Sequence, residues 1–133
     1  MLVVDTSAVL DAVVARRPAA GLVERLSGDG DLHAPHLIDV ELLHALRRLE
    51  RDGAIGVDRA ADARVDLRDL ALTRYPHHPL ADRIWELRHA LSAYDATFVA
   101  LAEVLQAPLV TCDARLASAS GHHARVELYR GGP

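Results

Sequence analysis

The segment LVVDTSAVLDAVV, residues 2 to 14, changes its hydrophobic period at Asp5. The three residues before Asp5 form an apolar run typical of a short buried strand. The residues after it repeat their apolar positions with the period of a helix, over residues 7–15. Two interpretations of Asp5 follow. It caps the helix, as Asp commonly does, or it ends a parallel strand, where open α/β sheets place their functional sites.

Short apolar runs alternate with helical periods along the rest of the chain. We predict further strands at LHA (32–34), within TRYPHHP (73–79), at LVT (109–111) and at VEL (126–128). We predict further helices that begin at Pro18 and that cover residues 36–51, 57–72, 79–91, 95–105 and 113–119. This alternation, without hairpin signals, predicts an α/β fold whose mainly parallel sheet of about five short strands is flanked by helices. The 133 residues suit a single domain, which we place at 1–133.

The composition excludes several classes of protein. The formal net charge of −4 gives no global signal for nucleic acid, although a local basic patch remains possible. All cations are arginine, so lysine chemistry is excluded. One cysteine, Cys112, excludes an internal disulfide and suggests a reducing compartment. Because neither a signal peptide nor a run of about 18 apolar residues is visible, we expect a cytoplasmic protein.

Four carboxylates interrupt apolar surroundings. They are Asp5, Glu41, Asp95 and Asp113. Each has an ordinary structural explanation, because the three aspartates suit helix N-termini and Glu41 could pair with Arg48. Taken together, two of them follow strands whose carboxyl ends would share one edge of a parallel sheet. Clustered carboxylates repel one another unless a cation compensates, and oxygen ligands suit Mg²⁺ or Mn²⁺.

The motifs VVDTSA, DVELLHALRRL, YDATFVALAE and LVTCDARLA follow one another in this order. Together they resemble the PIN-domain ribonucleases, and more narrowly the VapC-type toxins of bacterial toxin–antitoxin pairs. The resemblance covers nearly the whole chain, and it implies a PIN-like domain. It departs at His44, where the family often has Asn three residues after its glutamate.

The resemblance implies a divalent-metal-dependent endoribonuclease that is the toxin of a toxin–antitoxin system. It implies that the metal, Mg²⁺ or Mn²⁺, is held by four acids: Asp5, Glu41, Asp95 and Asp113. We expect Asp5 and Asp95 to be the closest ligands. A bound ion activates water and neutralises charge on the phosphate in the transition state. The resemblance also implies hydroxyls beside the acids, Thr6, Ser7 and Thr111, which can orient water or ligands. Arg115, just after Asp113, either contacts a substrate phosphate with two nitrogens or is an ordinary solvated helix arginine.

The implied partners are an RNA substrate, a cognate antitoxin and a second copy of the chain, with no membrane. Leu22, Val23 and Leu26 offer apolar residues for either the core or a partner surface. Arginines beside the motifs are the candidates for phosphate contacts: Arg16, Arg17, Arg47, Arg48 and Arg115. We expect few such contacts, a shallow salt dependence and a substrate that is a loop of a structured RNA.

The sequence fits several other functions less well. Receiver-type phosphoacceptor domains and HAD-type phosphatases also carry acids at strand ends, but both need a lysine. The sequence has no glycine-rich phosphate-binding loop, which argues against an NTPase. Cys112 is interpreted as a buried core residue and not as a nucleophile. Two alternatives stay open: an inactive PIN-like module that binds RNA or protein, and an RNA-processing PIN nuclease without a toxin role.

Overall fold

The computed structural model describes residues 1–131, so the last two residues of the predicted domain lie outside the described part. Its strands are β1 (Leu2–Val4), β2 (Leu32–Pro35), β3 (Thr73–Tyr75), β4 (Leu109–Thr111) and β5 (Val126–Leu128). They form one sheet in the order β3-β2-β1-β4-β5, in which every neighbouring pair is parallel. The predicted α/β fold with about five strands is confirmed, and the sheet is fully parallel over the described residues.

Helices cover the connections between the strands, as right-handed parallel crossovers require. They are α1 (Thr6–Val14), α2 (Leu22–Asp29), α3 (Leu37–Arg51), α4 (Val57–Asp69), α5 (Ala81–Glu86), α6 (Ala93–Leu105) and α7 (Ala114–Ser118). A short 3₁₀ turn, His78–Leu80, precedes α5. No helix in the described range is both long and apolar enough to cross a membrane.

The observed helices differ from the predicted ones most at two places, and α4 also ends at Asp69 and not at residue 72. The second helix begins at Leu22 and not at Pro18, because Gly21 adopts a left-handed backbone (φ 82°) that only then turns into the helix. The helix predicted over 79–91 is regular only to Glu86. There the Arg88 backbone amide and the Arg88 guanidinium both donate to the Trp85 carbonyl, and the guanidinium lies over the Trp85 ring.

The central position of β1 brings the first and last motifs together. Val4 pairs with Val110 in the sheet register, and the Asp5 amide donates to the Val110 carbonyl at 3.2 Å. The chain segments that follow β1 and β4 therefore leave the sheet side by side at its carboxyl edge. Helix α6 packs against β1, β2 and β4, and its residues 96–102 are all buried. The same edge thus receives the first turn of α6.

The apolar residues of α2 belong mostly to the core. Leu22 and Leu26 are buried, and only Val23 is exposed. Of the two interpretations of these residues, the core is the one confirmed for Leu22 and Leu26, and only Val23 is left on the surface.

Candidate active site

A cavity of about 620 Å³ opens at the carboxyl edge of the sheet, and all four acids singled out in the sequence line it. Asp5 follows β1, Glu41 projects from α3, Asp95 lies in the first turn of α6 and Asp113 follows β4. Helix α1 contributes Thr6, Ser7 and Leu10 to the same cavity, so residues on or directly after five elements line it. The parallel topology explains the convergence, because it places the ends of β1 and β4 at the same edge.

Asp5 is both a helix cap and a member of this cavity. Its Oδ1 accepts from the Ala8 amide at 2.9 Å, which caps α1, and from the Ser7 hydroxyl at 2.8 Å. Its Oδ2 accepts from the Thr111 hydroxyl at 2.5 Å. The two interpretations of Asp5 are therefore compatible. Because each carboxylate oxygen has two lone-pair positions, Oδ2 retains one that no protein donor in the described structure occupies.

The protein environment disfavours a charge on Asp5. The side chain is 5% exposed, and this burial raises its pKa from 3.8 to about 6. Hydrogen bonds from Thr111, Ala8 and Ser7 oppose the rise, whereas the charge of Asp113 adds to it. A carboxylate kept at such a pKa is one that a nearby cation would stabilise.

Glu41 is held by a hydroxyl and not by an arginine. The Thr6 hydroxyl donates to Glu41 Oε1 at 2.6 Å, which joins the start of α1 to α3. The pairing with Arg48 considered for Glu41 is not observed, because no ion pair within 4.0 Å joins the two side chains in the described structure. Its neighbour Ile38 is buried in the core, so Glu41 stands at the polar border of the apolar face of α3.

Asp95 and Asp113 share one arginine. Ser92 caps α6 by accepting from the Asp95 amide at 3.1 Å, and Asp113 caps α7 by accepting from the Arg115 amide at 2.9 Å. The Arg115 Nη2 atom lies 3.2 Å from Asp113 Oδ2 and 4.0 Å from Asp95 Oδ2. Burial and then the charge of Asp113 raise the pKa of Asp95, while Arg115 and the Ser92 hydroxyl lower it.

A hydroxyl network fixes the rim around Asp5. The Ser7 and Thr111 hydroxyl oxygens lie 3.2 Å apart, and each also accepts a backbone amide, from Cys112 and Asp113 respectively. Ser7 and Thr111 thus tie the start of α1 to the end of β4. The structure brings together every hydroxyl singled out in the sequence, and each contacts one of the four acids.

Cys112 is half-buried and not fully enclosed as predicted. It lines a second cavity of about 1060 Å³, which adjoins the acidic cavity at Ser7 and Leu10. Burial raises the pKa of the Cys112 thiol to about 11, and Asp11 and Asp5 add to the rise. A thiol with this pKa is a poor nucleophile at neutral pH, which agrees with the interpretation that Cys112 is not a nucleophile.

The candidate arginines do not all reach the acids. Arg48 and His44 line the acidic cavity, and Arg16 lines the adjoining one. Arg47 lies away from both, in a shallow hollow between α3 and α4. Tyr94 lines the acidic cavity with 63% of its surface exposed, and sequence reasoning did not single it out. Its position directly before Asp95 was the available signal.

The donor chemistry of the cavity fits a hard divalent cation. Its four acids supply carboxylate oxygens, the ligands that such a cation prefers, and Asp5 Oδ2 has a lone-pair position that no donor in the described structure occupies. Within residues 1–131, however, no three His, Cys, Asp or Glu side chains are arranged closely enough to hold one ion together. Mg²⁺ usually keeps several waters and takes one or two carboxylates directly. The arrangement therefore suits a largely hydrated ion and not an enclosed one.

Comparisons with known proteins agree with this architecture. The PIN domain family model matches residues 2–121. The chain is 49% identical over 119 residues to VapC ribonuclease Mb0985 of Mycobacterium bovis, covering 87% of this chain and 88% of that one. It is 42% identical over 129 residues to Ribonuclease VapC1 of Mycobacterium tuberculosis, covering 96% and 97%. The solved structure of VapBC2 from Rickettsia felis, bound to a DNA fragment from their promoter, shares the fold with a TM-score of 0.70 and 12% identity over 96% of this chain and 98% of that one.

Proposed function

This chain belongs to the PIN domain family as a VapC-type toxin, and we propose that its acidic cavity hydrolyses RNA phosphodiester bonds with a divalent cation. The observation that carries the proposal is the convergence of Asp5, Glu41, Asp95 and Asp113 on one cavity at the carboxyl edge of the sheet. All four acidic positions implied by the resemblance to PIN-domain ribonucleases carry Asp or Glu in this chain, which argues against an inactive module that only binds RNA or protein.

The cavity residues have separate tasks in this proposal. Asp5, through its free Oδ2 position, and Asp95 hold Mg²⁺ or Mn²⁺, and Glu41 and Asp113 complete the ligand sphere directly or through water. The ion, when bound, supplies an activated water and neutralises charge on the phosphate. Thr111 and Ser7 keep the Asp5 carboxylate in one orientation, and Thr6 does the same for Glu41. These hydroxyls orient ligands and do not react.

The substrate we propose is single-stranded RNA in the loop of a structured molecule. The chain is acidic overall, and only Arg48 among its arginines lines the acidic cavity directly. Few phosphates can then be neutralised, so the salt dependence of RNA binding should be shallow, with a slope of about −0.7 per phosphate contact. An unpaired loop also lets bases splay outward, which a duplex prevents.

A cleavage assay tests the enzymatic proposal. The wild type should cut a stem-loop RNA in Mg²⁺ or Mn²⁺, should lose cleavage in EDTA, and should leave the same sequence uncut when it is locked in a full duplex. Asp95→Asn should be inactive, whereas Asp66→Asn, an exposed acid on α4, should cut like the wild type. Cleavage that persists in EDTA, or in Asp95→Asn at the wild-type rate, contradicts the metal-dependent mechanism. Equal cleavage of loop and duplex contradicts the loop substrate.

The partner we propose is a cognate antitoxin, which meets the toxin in the cytoplasm and brings a basic side chain to the acidic cavity. The charge of the cavity supports this, because four carboxylates favour a cation from a partner as well as a metal ion. Co-expression with the antitoxin should restore growth and yield a co-purifying complex. An antitoxin that restores growth without forming a complex contradicts this proposal. A protein that cuts RNA but has no such partner is the RNA-processing nuclease.

We also propose a homodimer, whose surface is not α2 but includes exposed apolar side chains. They are Val40 on α3 and Tyr94 on α6, which line the acidic cavity, and Trp85 on α5, which packs against α6. Large exposed apolar side chains are typical of interaction surfaces when they group together. Light scattering should give the mass of two chains, and Trp85→Glu should give the mass of one. A wild-type monomer at all concentrations contradicts the proposal.

A further inference from the structure

Arg115 is the one cation within 4.0 Å of any of the four acids in the described part of the chain. Its Nη2 atom contacts Asp113 Oδ2 at 3.2 Å and lies 4.0 Å from Asp95 Oδ2. The guanidinium thus lies within 4.0 Å of two of the acids that are proposed to hold the metal.

The contacts of Arg115 differ from those of the arginines that support the fold. Arg25, Arg74 and Arg83 each bind a carboxylate with two nitrogens, and their side chains are 28–34% exposed. Arg115 uses Nη2 alone, and its side chain is 83% exposed. Its Nε and Nη1 atoms have no hydrogen-bond partner among the described residues. It is therefore weakly held and has donors to spare.

We infer that Arg115 is an internal counter-ion that competes with the divalent cation for Asp95 and Asp113, and that it passes to a substrate phosphate when that cation is bound. The inference rests on the proposed function. In the absence of a metal ion, a positive guanidinium offsets the repulsion between the two carboxylates. A divalent ion does so more strongly, and its own charge then repels the guanidinium. Once Nη2 leaves Asp113, the Arg115 guanidinium can present Nη2 with Nε or with Nη1 as a fork that matches two oxygens of a phosphate.

Two variants separate the charge of Arg115 from its shape. Arg115→Ala removes both, whereas Arg115→Lys keeps the charge and loses the planar fork. Arg68→Ala is the matched control, because Arg68 is also exposed and also pairs with an aspartate near it in sequence, Asp69 at 3.0 Å, on α4. The control removes the same net charge at a place that has no ion pair with any of the four acids.

The first measurement is calorimetric titration of the purified metal-free proteins with Mn²⁺, without RNA. Arg115→Ala should bind Mn²⁺ about fivefold more tightly than the wild type at low salt, and the gain should shrink at about 1 M salt because the competing charge is screened. Arg115→Lys and Arg68→Ala should bind Mn²⁺ within about twofold of the wild type. An affinity of Arg115→Ala that is unchanged or weaker overturns the inference, and so does an equal gain in Arg68→Ala.

The second measurement is steady-state cleavage of a stem-loop RNA at saturating metal. Arg115→Ala should raise KM about tenfold with kcat reduced less, because the phosphate contact aids binding. Arg115→Lys should raise KM by a smaller factor, since a lysine ammonium still binds phosphate as a point charge. An unchanged KM in Arg115→Ala overturns the transfer to phosphate. If the wild type fails to cut RNA at all, the proposed function fails, but the Mn²⁺ titration still decides whether Arg115 competes with the ion.

Discussion

Asp5 and Glu103 are both largely enclosed carboxylates, yet their surroundings act on them in opposite directions. Glu103 accepts from Arg83 Nε at 2.8 Å and Nη2 at 3.0 Å, and from the His123 amide at 2.7 Å, and Arg83 lowers its pKa. Asp5 accepts only from neutral donors, and burial raises its pKa to about 6. One carboxylate has its cation within the protein, whereas the other lacks one.

The difference separates acids that stabilise the fold from acids that a ligand must stabilise. Arg25 lowers the pKa of Glu127 in the same way as Arg83 acts on Glu103, and this pair joins α2 to β5. Asp95, like Asp5, has its pKa raised by burial, although Arg115 partly offsets the rise. A carboxylate that is destabilised in the absence of ligand is typical of functional sites. The same residue type therefore serves two purposes, according to whether an arginine fork faces it.

The largest expected effect is on catalysis at Asp5. Asp5→Asn should lower the rate of RNA cleavage at least about 1000-fold, because a neutral amide is a far weaker ligand for a divalent ion. The fold should persist, because Asn caps helices as well as Asp does. Cleavage rates at saturating metal, with circular dichroism as the check on folding, decide this. Activity near that of the wild type would show that Asp5 belongs with the structural acids.

The next effect is on stability, and its direction depends on pH. Because the folded-state pKa of Asp5, about 6, exceeds its unfolded value of 3.8, the folded protein binds the extra proton between these values. Metal-free wild type should therefore lose up to about 3 kcal/mol of stability relative to Asp5→Asn as the pH rises from about 4 to above 6. Urea unfolding of both proteins in EDTA measures the difference. A parallel pH profile of the two proteins would contradict the raised pKa.

Removal of an acid that supports the fold should change the free energy of unfolding in the opposite direction. Glu103→Gln should destabilise the protein by about 2 kcal/mol at neutral pH, because it weakens two charge-assisted hydrogen bonds from Arg83. Its rate of RNA cleavage at saturating metal should stay unchanged. Urea unfolding and cleavage rates measured on one preparation test both statements. A Glu103→Gln protein as stable as the wild type would remove the contrast with Asp5.

The smallest expected effect is that of the metal ion on unfolding. A ligand at ten times its dissociation constant stabilises the folded state by about 1.4 kcal/mol. Mg²⁺ at that level should raise the melting temperature of wild type and of Glu103→Gln by a few degrees, and should leave Asp5→Asn unchanged. Equal shifts in all three proteins would indicate ion binding elsewhere on the molecule.

The positions of the four acids could be predicted from the sequence because they depend on sheet topology and helix periodicity. In a parallel sheet, residues that follow strands meet at one edge, so the positions of Asp5 and Asp113 required only the correct identification of two strands. Asp95 and Glu41 depended in addition on helix periodicity, which is strong in both segments. The roles of these residues in metal binding and catalysis remain predictions.

Features that depend on tertiary contacts could not be predicted in the same way. The apolar residues of α2 indicate an amphipathic helix, but periodicity does not say which neighbour covers the apolar face, and Leu22 and Leu26 turned out to be core. The early end of α5 at Glu86 coincides with no signal such as Gly or Pro in the sequence. The exposure of Arg115 and its contact with two acids likewise follow only from coordinates.

The double role of Asp5, as a cap for α1 and as a member of the acidic cavity, has a consequence for inheritance. A codon for Asp becomes a codon for Asn by one base change, and the new side chain keeps an oxygen for the Ala8 amide that caps α1 and for the Ser7 hydroxyl, although its amide nitrogen cannot accept from Thr111 as Oδ2 does. A cell can therefore silence this toxin in one mutational step and keep a folded protein. If that protein still binds the antitoxin, it would compete for it with any active relative in the same cell.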